Sequence, residues 1–462
     1  MKKIFILILS VVCYNHVVAQ TYTLEQLKDS ALCHNIQMRN ARHDVEVARQ
    51  QRKEAFTKYF PNISAMGLGF NTDHGMAKTN VTPSEIIPPA FTQMLPNELL
   101  AMLGSPVELS MMKKGVIAGV SAVQPIFAGG QIAKGNKLAK VGEEVSRLLL
   151  HQSENEVEKT VEKFYWNLAL LAEKIKTLEA VETMLNGIHK DVSVAVEAGV
   201  AMRNDLLQVQ LRQNETESTK LNLMNDFCFT KQMLAQYCGL RDTSFVLNHQ
   251  LEESPTLTIK QDHAQALHQT VEYQLLDKQV EVAGIQKKMA VGQNLPTIAV
   301  GAGYNYHNLL GNDHKFGMVF ATVSVPISNW WGGSHAIKRK KIEHQKAIEQ
   351  MADHSELLEI KMQKAWNDVN KSYRQLQIAD RSIEQAKENL RLNNDYYKAG
   401  ISKISDLLEA QLLYQQACDK RTDAYADYQN KLLEYRQSVG QKSIHIKDIK
   451  RAVQDSFLNS PK

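Results

Sequence analysis

Residues 45–63 read VEVARQQRKEAFTKYFPNI, and residues 280–298 read VEVAGIQKKMAVGQNLPTI. Nine positions coincide at a constant offset of 235, from Val45/Val280 to Ile63/Ile298, with Pro61/Pro296 near the end of each stretch. Two further landmarks follow in the same order. Gln124-Pro125-Ile126 with Gly129-Gly130 is matched by Val325-Pro326-Ile327 with Gly332-Gly333. Ala198-Gly199 with Asp205-Leu206-Leu207 is matched by Ala399-Gly400 with Asp406-Leu407-Leu408. Pro125 and Pro326 stand 201 residues apart, as do Gly199 and Gly400. A unit of about 200 residues is far longer than a solenoid repeat, so the chain reads as a tandem duplication of one architectural half.

Each half follows the same course. Residues 24–58 and 263–290 carry apolar residues at helical spacing and end at the proline downstream, which predicts a helix in each. Short alternating segments with glycine come next, at 62–72, 115–127, 296–306 and 316–327, and read as strands. Long heptad patterns then take over. Val157, Phe164, Leu171, Leu178, Leu185 and Val192 recur every seven residues, with Val161, Leu168 and Ile175 between them. The second half repeats this with Met362, Val369, Leu376, Ile383, Leu390 and Tyr397, and with Ala365, Ala379 and Ala386 three residues on. Sustained heptads describe a coiled-coil seam. A continuous helix from Gln131 to Val196, or from Ser334 to Tyr397, would reach roughly 95 Å.

Both long helices stop at a glycine, Gly199 or Gly400. Asn204 or Ser405, followed by Asp205 or Asp406, then signals a new helix start. The returning helices run to about Gly239 and Gly440 and lie antiparallel to their partners. The expected organisation is a signal peptide at 1–19, a first repeat at 20–240 with its helical hairpin at 131–240, and a linker at 241–262. A second repeat follows at 263–440 with its hairpin at 334–440, and a polar tail at 441–462. The fold class is mainly α with a small β part. At the second turn, Asp406 and Glu409 share one face of the first helical turn. The plain reading has Asp406 capping the helix and Glu409 completing a capping box.

The opening residues pair Lys2 and Lys3 with an apolar run from Ile4 to Val12 and small residues before Gln20, the pattern of a secretory signal. Lipidation at Cys13 is disfavoured, because Val12 stands where a small residue is expected. Removing two lysines takes the formal charge from +4 to 4 − 2 = +2, a balance that argues against nucleic acid as a partner. Cys33, Cys228, Cys238 and Cys418 match no metal or redox spacing, and Cys228 and Cys238 read as core residues. No helical stretch downstream is apolar over the roughly 20 residues a membrane span requires. The four strands, however, have the length of tilted membrane strands, with Tyr, Phe and Trp near their ends, and a small soluble sheet capping the bundle is the alternative that strand composition leaves open. An open sheet edge in lipid costs several kcal/mol for each unpaired backbone group, and known barrels need at least about eight strands. Membrane strands at four per chain therefore require several chains in one barrel.

The order of helix, strand pair and long hairpin, written twice, resembles the TolC-like outer-membrane efflux proteins over essentially the whole chain after residue 19. The most specific stretches are AGISKISDLLEAQLLYQQA at 399–417 and AGVAMRNDLLQVQ at 198–210, similar to the family's two periplasmic turns. The resemblance implies a homotrimer with a twelve-stranded barrel in the outer membrane and a helical tunnel through the periplasm. It also implies a periplasmic adaptor and an inner-membrane pump as partners, docked through the turns at Gly199, Asn204, Gly400 and Ser405. Asp406 and Glu409 would line a periplasmic aperture, where Asp205 is also placed, with Tyr397 helping to hold it shut; Ser402 stands where the family's best-known member has an arginine.

Other chemistry finds only near misses. Gly130-Gln-Ile-Ala-Lys-Gly135 lacks the Lys and hydroxyl pair of a phosphate loop, and Gly67-Leu68-Gly69 and Gly301-Ala302-Gly303 lack a dinucleotide fingerprint's third glycine. The expectation is no enzyme and no cofactor. The methionines at 66–112 raise soft-metal binding, with flexible apolar filling as the plainer account. A soluble periplasmic coiled-coil scaffold is the alternative from another class. The step from Pro61 to Pro125 is longer than that from Pro296 to Pro326 and marks an enlarged loop of unread role.

Overall fold

The computed structural model describes residues 21–74, 77–82, 96–103, 107–247, 257, 259–309, 312–327 and 329–441. The signal segment with Cys13, residues 248–256 and 258 of the 241–262 linker, the prolines at 83, 88, 89 and 106, and the tail beyond 441 lie outside the described residues. Among the described residues, no helix is long and apolar enough to cross a membrane.

The elements are β1 (Thr21–Tyr22), α1 (Leu24–His34), α2 (Ile36–Thr57), β2 (Asn62–Asn71), β3 (Ala77–Val81), α3 (Asn97–Leu103), β4 (Val107–Met111) and β5 (Lys114–Ala128). There follow α4 (Gln131–Glu197), α5 (Arg203–Cys238), β6 (Val246–Leu247), α6 (His263–Leu267), α7 (Val271–Gly292), β7 (Thr297–His307), β8 (His314–Ser324), α8 (Asn329–Lys398) and α9 (Ile404–Ser438). They form two compact units. The described parts of Met1–Val47, Glu144–Gln279 and Ile348–Lys462 make the first, and Ala48–Glu143 with Val280–Ala347 the second.

The first unit is helical, and its packing repeats the duplication. In the first half Leu27 and Ala31 of α1 and Met38 of α2 bury against Val161, Leu168 and Tyr165 of α4 and Leu234 of α5. In the second half Ala266 and Leu267 of α6 bury against Met362 and Val369 of α8 and Tyr435 of α9. Val161/Met362, Leu168/Val369 and Leu234/Tyr435 each stand 201 apart, so the core positions are duplicated along with the sequence. Two short strands, β1 and β6, pair in parallel beside the first cluster.

The single helices expected at 24–58 and 263–290 are each two. The break falls at Asn35 and at Thr270, which are 270 − 35 = 235 apart, the same offset as the repeat. Asn35 Oδ1 accepts the Gln37 N–H at 2.8 Å, and Thr270 Oγ1 accepts the Tyr273 N–H at 3.3 Å, so each side chain starts the following helix. The returning helix ends against this break. Gly239 and Gly440 both hold φ near +70°, and a Cβ at Gly239 would lie 2.5 Å from His34 Cβ, while one at Gly440 would lie 3.2 Å from the Gln269 carbonyl oxygen. Asn35 Nδ2 and Ser30 Oγ donate to the Tyr237 and Cys238 carbonyls, which α5 itself leaves free at its last turn.

Cys238 is buried as expected, but Cys228 is exposed. Ten residues turn a helix through about 1,000°, which places the two side chains about 80° apart around α5.

The second unit holds a four-stranded antiparallel sheet in the order β2-β5-β7-β8. Its strands match the expected segments within a few residues. Pro125 falls inside the central strand β5, at a register shift between Pro125 and Phe127, where a proline is tolerated. A separate hairpin, β3 with β4, pairs Ala77↔Met111 through Val81↔Val107 inside the enlarged loop. The second Pro-then-Gly-Gly junction is not equivalent to the first. Gly129 and Gly130 hold positive φ in the turn before α4, whereas Gly332 and Gly333 lie within α8, which begins at Asn329 rather than at 334.

Candidate functional site

The hairpin turns are built by the same bonds in both halves. At the first, the Gly199 N–H donates to the Val196 carbonyl and the Val200 N–H to the Ala195 carbonyl, with Gly199 at φ +74°. At the second, the Gly400 N–H donates to the Tyr397 carbonyl and the Ile401 N–H to the Tyr396 carbonyl, with Gly400 at φ +71°. This double bond pattern closes a helix on a left-handed residue, which glycine adopts without penalty.

The helix starts differ from the sequence reading. The capping positions are Met202 and Lys403, and neither side chain caps its helix. Asn204 and Ser405 sit two residues further in and are exposed. The aspartates at the third helical position act in their place: Asp205 Oδ2 accepts the Met202 N–H at 3.1 Å, and Asp406 Oδ2 accepts the Lys403 N–H at 3.2 Å. Asp406 Oδ1 also accepts the Ser405 hydroxyl at 3.2 Å. Glu409 therefore completes no capping box. It is exposed and has no protein partner among the described residues. Capping accounts for Asp406 and leaves the charge of Glu409 without a structural task.

Tyr397 packs at the edge of a cluster made by Val181, Leu185, Ile188 and Val192 of α4, Val209 of α5, and Ile404 and Leu407 of α9. Burial, and then the carboxylates of Asp205 and Asp191, push its phenol above the ordinary value. Tyr397 and Asp205 are thus brought together across the two halves.

One functional candidate escaped sequence reading. Arg212 of α5 donates from Nε to Gln411 Oε1 at 3.2 Å and from Nη2 to Gln415 Oε1 at 3.0 Å, both on α9, and pairs through Nη1 with Glu215 at 3.2 Å. Gln411 is fully buried, so this arginine ties the two returning helices two turns in from the aspartates. The repeat offset hid it, because position 413 in the second half is Leu. Among the described residues, no group of three or more His, Cys, Asp or Glu is placed to hold a metal ion.

The sheet of the second unit is a candidate surface of its own. Register places Ile63, Val120, Val300, Tyr304, Val319 and Val323 on one face, with alanines and glycines between them. The other face carries Ser64, Ser121, Asn305, His307 and His314 among Met and Phe side chains, and Ser64 and Ser121 share a hydrogen bond at 3.2 Å. Ile63 is 71% exposed and Val319 86%, so among the described residues nothing covers the apolar face at these positions.

No curated protein is detectably similar in sequence. Solved structures are similar in fold. The outer membrane protein VceC of Vibrio cholerae superposes with a TM-score of 0.70 at 14% identity, covering 90% of this chain and 96% of that one. The CmeC outer membrane channel of Campylobacter jejuni gives 0.70 at 16% identity over 94% and 90%, and the MtrE outer membrane channel of Neisseria gonorrhoeae 0.69 at 15% over 91% and 89%. The family model described as outer membrane efflux protein matches residues 27–240 and 264–441. With that match spanning most of both halves, the chain belongs to the outer membrane efflux protein family and is an outer-membrane channel of an efflux system, extending into the periplasm.

Proposed function

We propose that three copies of this chain share one twelve-stranded barrel, and that the duct serves an inner-membrane pump through a periplasmic adaptor docked at the hairpin turns. The sheet carries this reading. Its outer strands, β2 and β8, each have a partner on one side only, and its apolar face is open. In lipid such edges must pair with another chain. Two copies would give eight strands, a barrel that side chains fill, so three is the smallest number that leaves a passage.

A second stripe points the same way. Leu207, Leu211, Leu221 and Met224 form one exposed apolar face of α5, and Cys228 continues it. A neighbouring copy would cover that stripe and account for the exposed cysteine. Trp330, Trp331, Phe56 and Phe60, all exposed beside the sheet's helix-bearing end, suit a lipid interface.

At the turns, Asp406 and Glu409 contribute six carboxylates per trimer around a narrow aperture, where their field attracts cations and resists anions. The duct conducts and catalyses nothing. Planar-bilayer recording tests the reading. Glu409→Gln removes a charge without touching the helix start, and Asp406→Asn keeps an oxygen for the Lys403 N–H. The double variant should form channels with reduced cation selectivity and weaker block by multivalent cations. Unchanged selectivity and block would leave the acids outside the aperture.

A further inference from the structure

We propose that His307 and His314 form a two-imidazole site for a divalent transition-metal ion, with Cu²⁺, Ni²⁺ and Zn²⁺ as the class it accepts. The two residues end β7 and begin β8, and they stand directly opposite one another in the register. Directly opposed Cβ atoms lie about 4.5–5.5 Å apart, within reach of a shared ligand. The ring centroids are 5.3 Å apart. Two imidazoles bound to one tetrahedral ion, with nitrogens about 2.0–2.1 Å from the metal, place their centroids about 5 Å apart. His307 Nδ1 is a second observation. It is shielded from solvent and has no hydrogen-bond partner among the described residues, which is costly for a ring nitrogen unless something binds there. The nearby carboxylate of Asp313 is engaged by the Tyr306 hydroxyl at 2.8 Å, so the remaining positions on the metal fall to water or cargo. Imidazole nitrogen selects this class of ion over Mg²⁺ and Ca²⁺.

The ligand pair needs only one chain's hairpin, while its place in the channel rests on the proposed trimer. Both histidines lie on the mixed face of the sheet, at the strand ends away from α7 and α8. In the trimer, three such pairs would ring the external mouth of the lumen.

Copper titration of the purified full-length channel in detergent, followed by electron paramagnetic resonance, tests the site against a His307→Asn/His314→Asn blank. The blank is needed because the chain has 15 histidines. The wild type should bind one Cu²⁺ per chain more than the blank, with coupling to two nitrogens. Each single substitution should weaken that site about tenfold or more, the scale of even outer-shell losses. Equal stoichiometry in wild type and blank would overturn the proposal. Zn²⁺ protection of the wild type from diethylpyrocarbonate gives a second readout that needs no variant: both residues should be shielded together, and shielding of neither overturns it. Light scattering on the same sample separates the two claims, since a single chain that still binds copper would refute only the trimer.

Discussion

Gly239 and Gly400 hold the same left-handed conformation, yet substitution should cost them differently. A Cβ at Gly400 meets open space, so Gly400→Ala bears only the backbone penalty of about 1 kcal/mol. At Gly239 the added carbon would lie 2.5 Å from His34 Cβ, and overpacking adds about 1–3 kcal/mol. Thermal melting in detergent should rank Gly239→Ala well below Gly400→Ala, and equal melting temperatures would contradict the packing described. Cys238 makes a second residue-level prediction. Burial pushes its thiol up to about 12. Above the ordinary thiol range the unfolded chain loses this proton and the folded chain keeps it. The contribution is therefore fully present below about pH 8.5 and is lost as pH rises towards 12, with a slope of at most about 1.4 kcal/mol per pH unit. Cys238→Ala should flatten that alkaline loss, and at pH 8 iodoacetamide should label the exposed Cys228 in the separated chain while sparing Cys238.

Among the elements, α1 is pinned by an ion pair that no spacing announces. Lys28 Nζ lies 2.7 Å from Glu162 on α4, with both side chains less than a tenth exposed. Lys28→Ala strands a buried carboxylate and should cost about 3–5 kcal/mol, whereas Lys28→Met with Glu162→Gln should recover much of the loss. Chemical denaturation of the three proteins checks this, and a harmless Lys28→Ala would contradict it. Contacts of this kind, along with Arg212 and Gln411, were illegible because they join residues far apart in sequence and follow no period. What periodicity and punctuation control was legible: the strands, the heptad seams and the glycine stops. Helix starts were misread because Asp406 supplies its capping oxygen from the third position, and a sequence does not show which of two adjacent polar residues turns back. The breaks at Asn35 and Thr270 were missed because the apolar spacing runs through them. The hairpin of β3 and β4 was missed because its strands are five residues long and separated by a long insertion.

At the scale of the whole molecule, a single chain leaves three features uncovered. The second-half seam is closed at Met362, Val369 and Leu376 but only half-buried at Ile383, Leu390 and Tyr397, the sheet has two open edges, and α5 carries an exposed apolar stripe. In the proposed trimer all three would be relieved by lateral contact with further copies, which the duplication would make nearly alike around a ring. Light scattering of the channel extracted from outer membranes into mild detergent measures this most directly. The account predicts three chains per particle, and a single chain in a particle that still inserts into bilayers would contradict it.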